Sequence, residues 1–457
     1  MLYICFICIY WYSSTIIHSH VNTLLIFAKK LLPLFRKIAG TALARFSNAL
    51  LGLAVVWIAA RVFGAEGYGT VVLVILAITF IQLVNSLIGG PALVYLVPRH
   101  DVFNLFILSY VWAIVVSVAG ANLLWLLKLV PNEYRHATLI LSLFSNWTSV
   151  NMMILIGKEK IKFYNIISVL QTALIFAGIV FFAGVLKQSS VDYYIYALYV
   201  AYLSSFFMSL AAIRRYIVFS DLNELGKPIK PIIHYGGLMQ LASIIQFFNY
   251  RLSYYLLGSF YDKAELGKFA VGVQLAEGMW LISKSIALVQ YSRISNEPDN
   301  AEYAKSVTLL FLKFAVIATL LMLAVLIALP QQFFTWVFGT DFVHIRLIIL
   351  TLAPGILTLS ASHIFSHYFS GTGRPQHNTI SSASGFVVVL IAGFVMIPFL
   401  GITGAGIATS LSYITIFIYQ FYWFKKAAEV TLSEMLISGK DIRRIKSELK
   451  SLLKREL

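Results

Sequence analysis

Long apolar stretches alternate with short polar connectors along almost the whole chain. Crossing a bilayer core takes about 20 mostly apolar residues. Twelve stretches reach that length: 37–63, 70–97, 102–128, 134–156, 163–186, 192–213, 231–258, 265–291, 306–329, 343–370, 378–399 and 402–424. The pattern predicts an all-α polytopic membrane protein. The connectors are short except 214–230, which carries Arg214, Arg215, Asp221, Glu224, Lys227 and Lys230 and reads as a linker between two six-span halves. The organisation expected is an apolar extension over 1–28, an N-terminal lobe over 29–213, the linker, a C-terminal lobe over 231–427 and a tail over 428–457.

The two halves read as repeats. Ala65-Glu66-Gly67-Tyr68-Gly69 follows the first span, and Ala264-Glu265-Leu266-Gly267-Lys268 holds the same place in the second half. Gly157-Lys158 after span four corresponds to Gly373-Arg374 after span ten. Six is even, so both halves enter the membrane in the same sense. They are expected to be related by a pseudo-two-fold axis along the membrane normal, with any substrate site between them.

Composition removes the soluble classes. The 457 residues are 60% hydrophobic and 12% charged, with a mean hydropathy of +0.84. No aqueous fold of this length hides so much apolar surface. The net charge of +16 is distributed unevenly. One set of connectors holds Lys29, Lys30, Arg36, Lys37, Arg99, Lys158, Lys160, Lys162, Arg214, Arg215, Lys227, Lys230, Arg293, Lys305 and Arg374. The tail adds Lys425, Lys426, Lys440, Arg443, Arg444, Lys446, Lys450, Lys454 and Arg455. The opposite connectors hold Arg61, Lys128, Arg135, Lys187, Lys263, Lys268 and Arg346. That is 24 cations against 7, which predicts a multi-pass membrane protein with both termini in the cytoplasm.

The ends carry less information. Cys5 and Cys8 lie in the apolar N-terminal run, without the soluble α/β context of a redox motif. That run lacks a small-residue cleavage site and its positive charges follow it, so it makes a poor signal peptide. It reads as a peripheral interfacial helix or as an extension ahead of a start near Val21 to Ile26. In the tail, Asp441 caps a predicted helix with Ile442, Ile445, Leu449, Leu452 and Leu453 on one face and basic residues around it. Such a helix suits an anionic membrane surface or a docking partner.

Four cations and one acid remain inside the spans: Arg45, Arg251, Lys284, Lys313 and Glu277. Charge in hydrocarbon is costly, so each is a functional candidate. Arg45 lies about 10 Å into span one. It shares a helical face with Thr41, Asn48 and Gly52. Glu277 and Lys284 lie two turns apart on one face, as a relayed ion pair or as a coupling acid and a fixed cation. Arg251 and Lys313 are placed to snorkel to the outer and inner interfaces. Arg61 stands at the outer end of span one, where it could guard a cavity mouth. Gln82, Asn85, Gln240 and Asn249 offer sugar-compatible hydrogen bonds or interhelical glue. Gly89-Gly90-Pro91 and Pro354-Gly355 read as interruptions of spans two and ten. His363 and His367 have the i, i+4 spacing of two metal ligands but no acidic or cysteine partner nearby in sequence. The chain has no Walker loop and no catalytic constellation, so a non-enzyme without a cofactor is expected.

Several segments together resemble a known family. They are Ala59-Ala60-Arg61-Val62-Phe63-Gly64-Ala65-Glu66-Gly67-Tyr68-Gly69, Leu256-Leu257-Gly258 with Gly267-Lys268-Phe269, and Ser370-Gly371-Thr372-Gly373-Arg374-Pro375. To these is added the turn Pro398-Phe399-Leu400-Gly401-Ile402-Thr403-Gly404-Ala405-Gly406. Over about 30–425 the chain resembles the polysaccharide and O-antigen flippases of the multidrug/oligosaccharidyl-lipid/polysaccharide exporter superfamily. The resemblance implies two six-helix lobes around a V-shaped cavity and alternating access. Its implied cargo is an undecaprenyl-pyrophosphate-linked oligosaccharide, moved from the inner to the outer leaflet among membrane lipids. Glycan polymerases and other assembly proteins are implied partners. On that resemblance Arg45, Lys284, Arg251 and Arg61 would form a cationic cavity, lined by Asn48, Gln82, Asn85, Gln240 and Asn249, with Glu277 as a coupling acid. A multidrug cation antiporter shares the fold, but would be expected to hold acids where this chain holds cations. A peptidoglycan-precursor flippase usually has two further spans, and a non-transporting scaffold of glycan assembly stays open.

The charge bias generates a topology test. Reporter fusions at Asn132, Gln188 and Gln331 are expected to report outside, and fusions at Asn223 and Ser451 inside; reversal at two or more sites sinks the map.

Overall fold

The computed structural model describes the backbone of residues 2–187, 189–219, 229–297, 300–431 and 434. Side chains are described from residue 41 on, apart from 42, 229–236, 238, 239 and 292. The tail helix expected from Asp441 onward and most of the 214–230 linker lie outside the described residues, as do the side chains of Cys5 and Cys8.

The described secondary structure is helical. The α-helices are α1 (Leu2–Gly89), α2 (Pro91–Leu96), α3 (Val102–Leu126), α4 (Arg135–Gly157), α5 (Ile161–Val180), α6 (Val191–Ile213) and α7 (Ile229–Phe260). They continue with α8 (Lys263–Gly278), α9 (Trp280–Ser295), α10 (Ala301–Ala328), α11 (Gln331–Phe338), α12 (Ile345–Gly371) and α13 (Gln376–Ala427). Among the described residues, eight helical stretches are long and apolar enough to cross a membrane. Two of them, Leu43–Leu96 and Gln376–Ala427, run to 54 and 52 residues, enough for two crossings each.

Both long stretches are broken at a glycine. Gly64 has φ 66° and ψ −175°, and Gly401 has φ 56° and ψ −130°. These are conformations that a Cβ makes costly. The protein supplies partners where the helices are interrupted. Asp341 accepts a hydrogen bond from the Ala65 amide at 3.4 Å, and the Tyr261 hydroxyl donates to the Pro398 carbonyl at 3.1 Å.

The other interruptions differ from the sequence expectation. Gly89-Gly90-Pro91 does break a helix, because α1 ends and α2 begins there. Pro354 does not, since α12 runs unbroken through it. Gly355 serves close packing instead: a Cβ there would fall 2.6 Å from Ser410 Cα on α13. The expected eighth span is broken where no proline announced it. It consists of α8 and α9, 16 residues each, meeting at Met279.

Helices α3–α6 pack on one another and on α1, while α7–α10, α12 and α13 form a second packed group. Water-driven burial cannot hold helices together in lipid, so close backbone approach and polar contacts must. Asn146 donates to Ser117 and Asn151 to Ser209, each at 2.9 Å. In the second group Gln290 donates to Thr308 at 2.9 Å, and Ser253 and Thr409 share a 2.8 Å contact. The groups meet along the second half of α1. Tyr255 donates to the Leu76 carbonyl at 3.2 Å, and Phe80 lies 5.7 Å and 5.8 Å from the rings of Phe247 and Phe248.

The closest crossing lies between the two repeat segments. A Cβ on Gly267 would overlap the Ala65 carbonyl oxygen, and one on Gly69 would overlap the Lys263 carbonyl oxygen. The segments matched as equivalents in sequence touch each other, as expected for elements beside a pseudo-two-fold axis. Gly267→Ala is expected to push the crossing apart at a cost of about 1–3 kcal/mol, the range for overpacking. The check is a melting temperature in detergent several degrees below that of a control Gly184→Ala, whose Cβ enters open space.

Candidate substrate cavity

Three of the five in-span charges, Arg251, Glu277 and Lys284, come together in the second helix group. Arg251 on α7 holds Glu277 on α8 with two hydrogen bonds, Nη1 to Oε1 at 2.8 Å and Nη2 to Oε2 at 3.1 Å. The side chains are 25% and 14% exposed, so protein covers most of the pair and leaves an edge of it open. Arg251 therefore does not snorkel to an interface, and the partner of Glu277 is this guanidinium rather than a relay to Lys284. The reason is geometric: a planar two-pronged donor matches a carboxylate better than a flexible ammonium.

Lys284 stays close. It lies in the second turn of α9, with Nζ 5.1 Å from the Trp280 ring centroid, and it feels the charges of both Glu277 and Arg251. Its side chain is exposed. Trp280 packs in turn on Tyr250, Tyr413 and His363, with centroids 5.5 Å, 5.6 Å and 5.8 Å away. Arg251 also lies 5.1 Å from the Tyr254 ring. The result is an aromatic wall with a bidentate ion pair and a free-ended lysine on it. Cations gain from aromatic faces, more so when desolvated.

Arg45 is exposed on α1 and makes no hydrogen bond or ion pair among the described residues. Its face is tied down on either side. Asn165 donates to Thr41 at 3.1 Å and Asn48 donates to Ser168 at 2.7 Å, both between α1 and α5. Asn48 thus acts as interhelical glue as well as a polar surface. Arg61 stands apart from the other cations. Its Nη1 donates to the carbonyls of Trp336 and Val337 at 2.5 Å and 3.3 Å, and Trp57 donates to Val337 at 3.0 Å. These bonds meet the end of α11 and join the two helix groups.

The polar residues divide similarly. The Gln240 amide donates to the Leu83 carbonyl across the groups. Asn249 donates to the Ser382 carbonyl at 2.7 Å and accepts from Ser412 at 3.1 Å. Asn85 is fully buried and its amide finds no partner, while Gln82 is half-buried on the same helix. His367 faces the His363 carbonyl at 2.8 Å, and Lys313 is buried on α10. A surface cavity of about 490 Å³ beside Trp125, Lys128 and Asn132 holds none of these residues.

Sequence reasoning missed the roles of Trp280, Tyr254 and Tyr413. In an apolar span an aromatic residue counts as bulk. The available signal was spacing: Tyr250 and Tyr254 flank Arg251, and Trp280 lies four residues before Lys284.

No family model and no curated protein matches the chain. Solved structures do match. One described as lipid II flippase MurJ in an inward closed conformation superposes with a TM-score of 0.70 and 17% identity, over 85% of this chain and 89% of that one. An inward-facing multidrug resistance transporter of the MATE family gives 0.64 and 17%, over 84% and 94%. The MATE multidrug transporter DinF-BH gives 0.62 and 17%, over 86% and 95%. The chain shares the fold of these structures, the second of which is described as a member of the MOP superfamily. At these identities the likeness is one of fold alone.

The ion pair generates a stability test. Arg251→Ala and Glu277→Ala each leave one charge stranded and are expected to cost about 1–3 kcal/mol. The double variant, with neither charge, is expected to melt nearer to wild type than either single one. Equal and additive losses in detergent melting would show that the two groups do not depend on each other.

Proposed function

We propose that this chain is a membrane flippase that moves an undecaprenyl-pyrophosphate-linked oligosaccharide from the inner to the outer leaflet by alternating access. The observation that carries this reading is the charge balance of the interior. Glu277 is the one acid placed in the body of an expected span, Asp192 and Glu265 standing at the first residue of theirs, and Arg251 already neutralises it. Arg45 and Lys284 remain, both exposed within the expected spans. Fixed cations in a low-dielectric cavity favour an anionic head group strongly. A pyrophosphate supplies one, while its lipid tail can stay in the bilayer. Exposed cations are poor hosts for a cationic drug, which weighs against the multidrug alternative despite the shared fold.

In this reading spans one to six, within 29–213, and spans seven to twelve, within 231–427, are the rocking lobes, and both termini are cytoplasmic. The Gly64 and Gly401 breaks lie at the outer end. There Arg61, Trp57 and Asp341 hold α1 and the α11 region together, which supports an outer mouth that is shut in this state. Arg45 and Lys284 come one from each lobe. The sugars would meet Gln82 and Tyr250, which keep some exposure, while Asn85, Trp280 and Tyr413 are buried behind them. Glycan polymerases and other assembly proteins are the partners this role calls for.

Transport of labelled lipid-linked oligosaccharide in liposomes tests the proposal. Arg45→Ala is expected to nearly abolish transport per inserted molecule, since one charge-assisted phosphate contact contributes about 1.5–3 kcal/mol. Arg45→Lys should recover part of it, because a point charge replaces a two-pronged donor. If Arg45→Ala keeps full transport, or loses it only in proportion to protein, Arg45 is structural. Wild-type protein that inserts but moves no lipid-linked sugar points to the scaffold role instead.

A further inference from the structure

We propose that Glu277 occupies, in the empty protein, the place of the cargo's phosphate on Arg251, and that pyrophosphate binding there is coupled to uptake of one proton by Glu277. The inference rests on the pyrophosphate reading above and adds a competitor and a linked proton to it.

The first support is the shape of the contact. Two near-parallel bonds of 2.8 Å and 3.1 Å occupy one edge of the guanidinium. That fork recognises a carboxylate and a phosphate in the same way. While Glu277 holds it, phosphate cannot. The pair is not sealed, with side chains 25% and 14% exposed, so a head group entering the cavity can compete for it.

The second support is where Glu277 sits. It is the penultimate residue of α8, and the chain leaves the helix at Met279. α9 begins one residue later, at Trp280, and Arg251 is the counter-charge of the carboxylate at this joint. Gly278 beside it meets nothing within 4 Å of where a side chain would begin, so no neighbour packs against that position at the helix end. The break in the eighth span thus puts a movable acid at the tip of a half-helix, across from a fixed cation.

The third support is what would remain once phosphate takes Arg251. Tyr250 and Tyr254 of α7 and Tyr413 of α13 feel the charge of Glu277, but as neutral phenols they cannot balance it. Tyr68 of α1 lies near Arg251. Lys284 is the other cation in range, with His363 of α12 beyond it. A pyrophosphate carries at least two negative charges and draws Lys284 as well. Glu277 is then an uncompensated charge in a low-dielectric site, and it takes a proton from cavity water. The balance is simple: carboxylate plus proton gives carboxylic acid, while the guanidinium exchanges one anion for another.

The test is calorimetric binding of farnesyl pyrophosphate to the full-length protein in detergent near pH 7, in buffers of different ionisation enthalpy. The prenyl pyrophosphate's own protonation is common to all variants, so the quantity that decides is the difference between wild type and Glu277→Gln. Wild type is expected to take up about one proton more per ligand than Glu277→Gln, and its affinity to fall up to about tenfold per pH unit as pH rises. Glu277→Gln is expected to bind more tightly, with a flatter pH profile, because the competitor has lost its charge; Arg251→Gln is expected to bind weakly. Equal proton counts in wild type and Glu277→Gln overturn the coupling and leave the pyrophosphate reading standing. Glu277→Gln binding as weakly as Arg251→Gln also overturns it, since Glu277 would then support the site rather than compete for it. Wild type that does not bind farnesyl pyrophosphate overturns the pyrophosphate reading, and the coupling with it.

Discussion

Hydrocarbon cannot hydrogen-bond a peptide group, and the architecture depends on that constraint. It makes the chain helical through the bilayer and limits where the helices can break. Each break is found against other protein groups. Gly64 is followed by an amide that Asp341 accepts from. Pro398, just before Gly401, has its carbonyl met by Tyr261. At Met279 the amide turns back onto the Ala276 and Glu277 carbonyls. Irregular backbone at membrane depth is tolerated where protein or a wet cavity surrounds it, and the break after Glu277 lies beside the Arg251–Glu277 pair.

With peptide groups satisfied inside helices, helix association falls to close approach and to side-chain bonds. Small residues do the first. The Gly69–Gly267 crossing brings two backbones together where a methyl group would not fit, and it joins the two helix groups near the same end as the Arg61 contacts. Polar pairs such as Asn151 with Ser209 do the second. Most in-span polar residues are used this way, so an amide inside a span is weak evidence of a binding site. The Arg251–Glu277 pair is different. It is partly exposed, sits at a helix break and lies against a wall of aromatic rings.

Much of this was legible in the sequence. Apolar runs of span length require a lipid solvent, and they preceded any knowledge of packing. The pairing of Ala65–Gly69 with Ala264–Lys268 was visible because repeats keep their local sequence. The Pro398–Gly406 segment foretold the turn at Gly401, whereas the break at Gly64 was not singled out. Pro354 misled, because a proline within a helix can be accommodated when neighbours pack around it. The break at Met279 carried no proline signal.

By itself, then, the sequence determined the solvent, the helical class and the identities of the few charges inside it. Those follow from local composition and spacing, which act within a helix turn or along one span. Tertiary structure alone decided which charges meet. Periodicity put Glu277 and Lys284 on one face but could not say what faces them. Arg251 reaches Glu277 from another helix, 26 residues away along the chain. Asn48 and Arg61 were likewise set by neighbours more than a hundred residues distant, one bonded to α5 and the other to the end of α11. A helix's sequence specifies its faces; only the packing of the other helices determines whether a face meets lipid, a partner or the cavity.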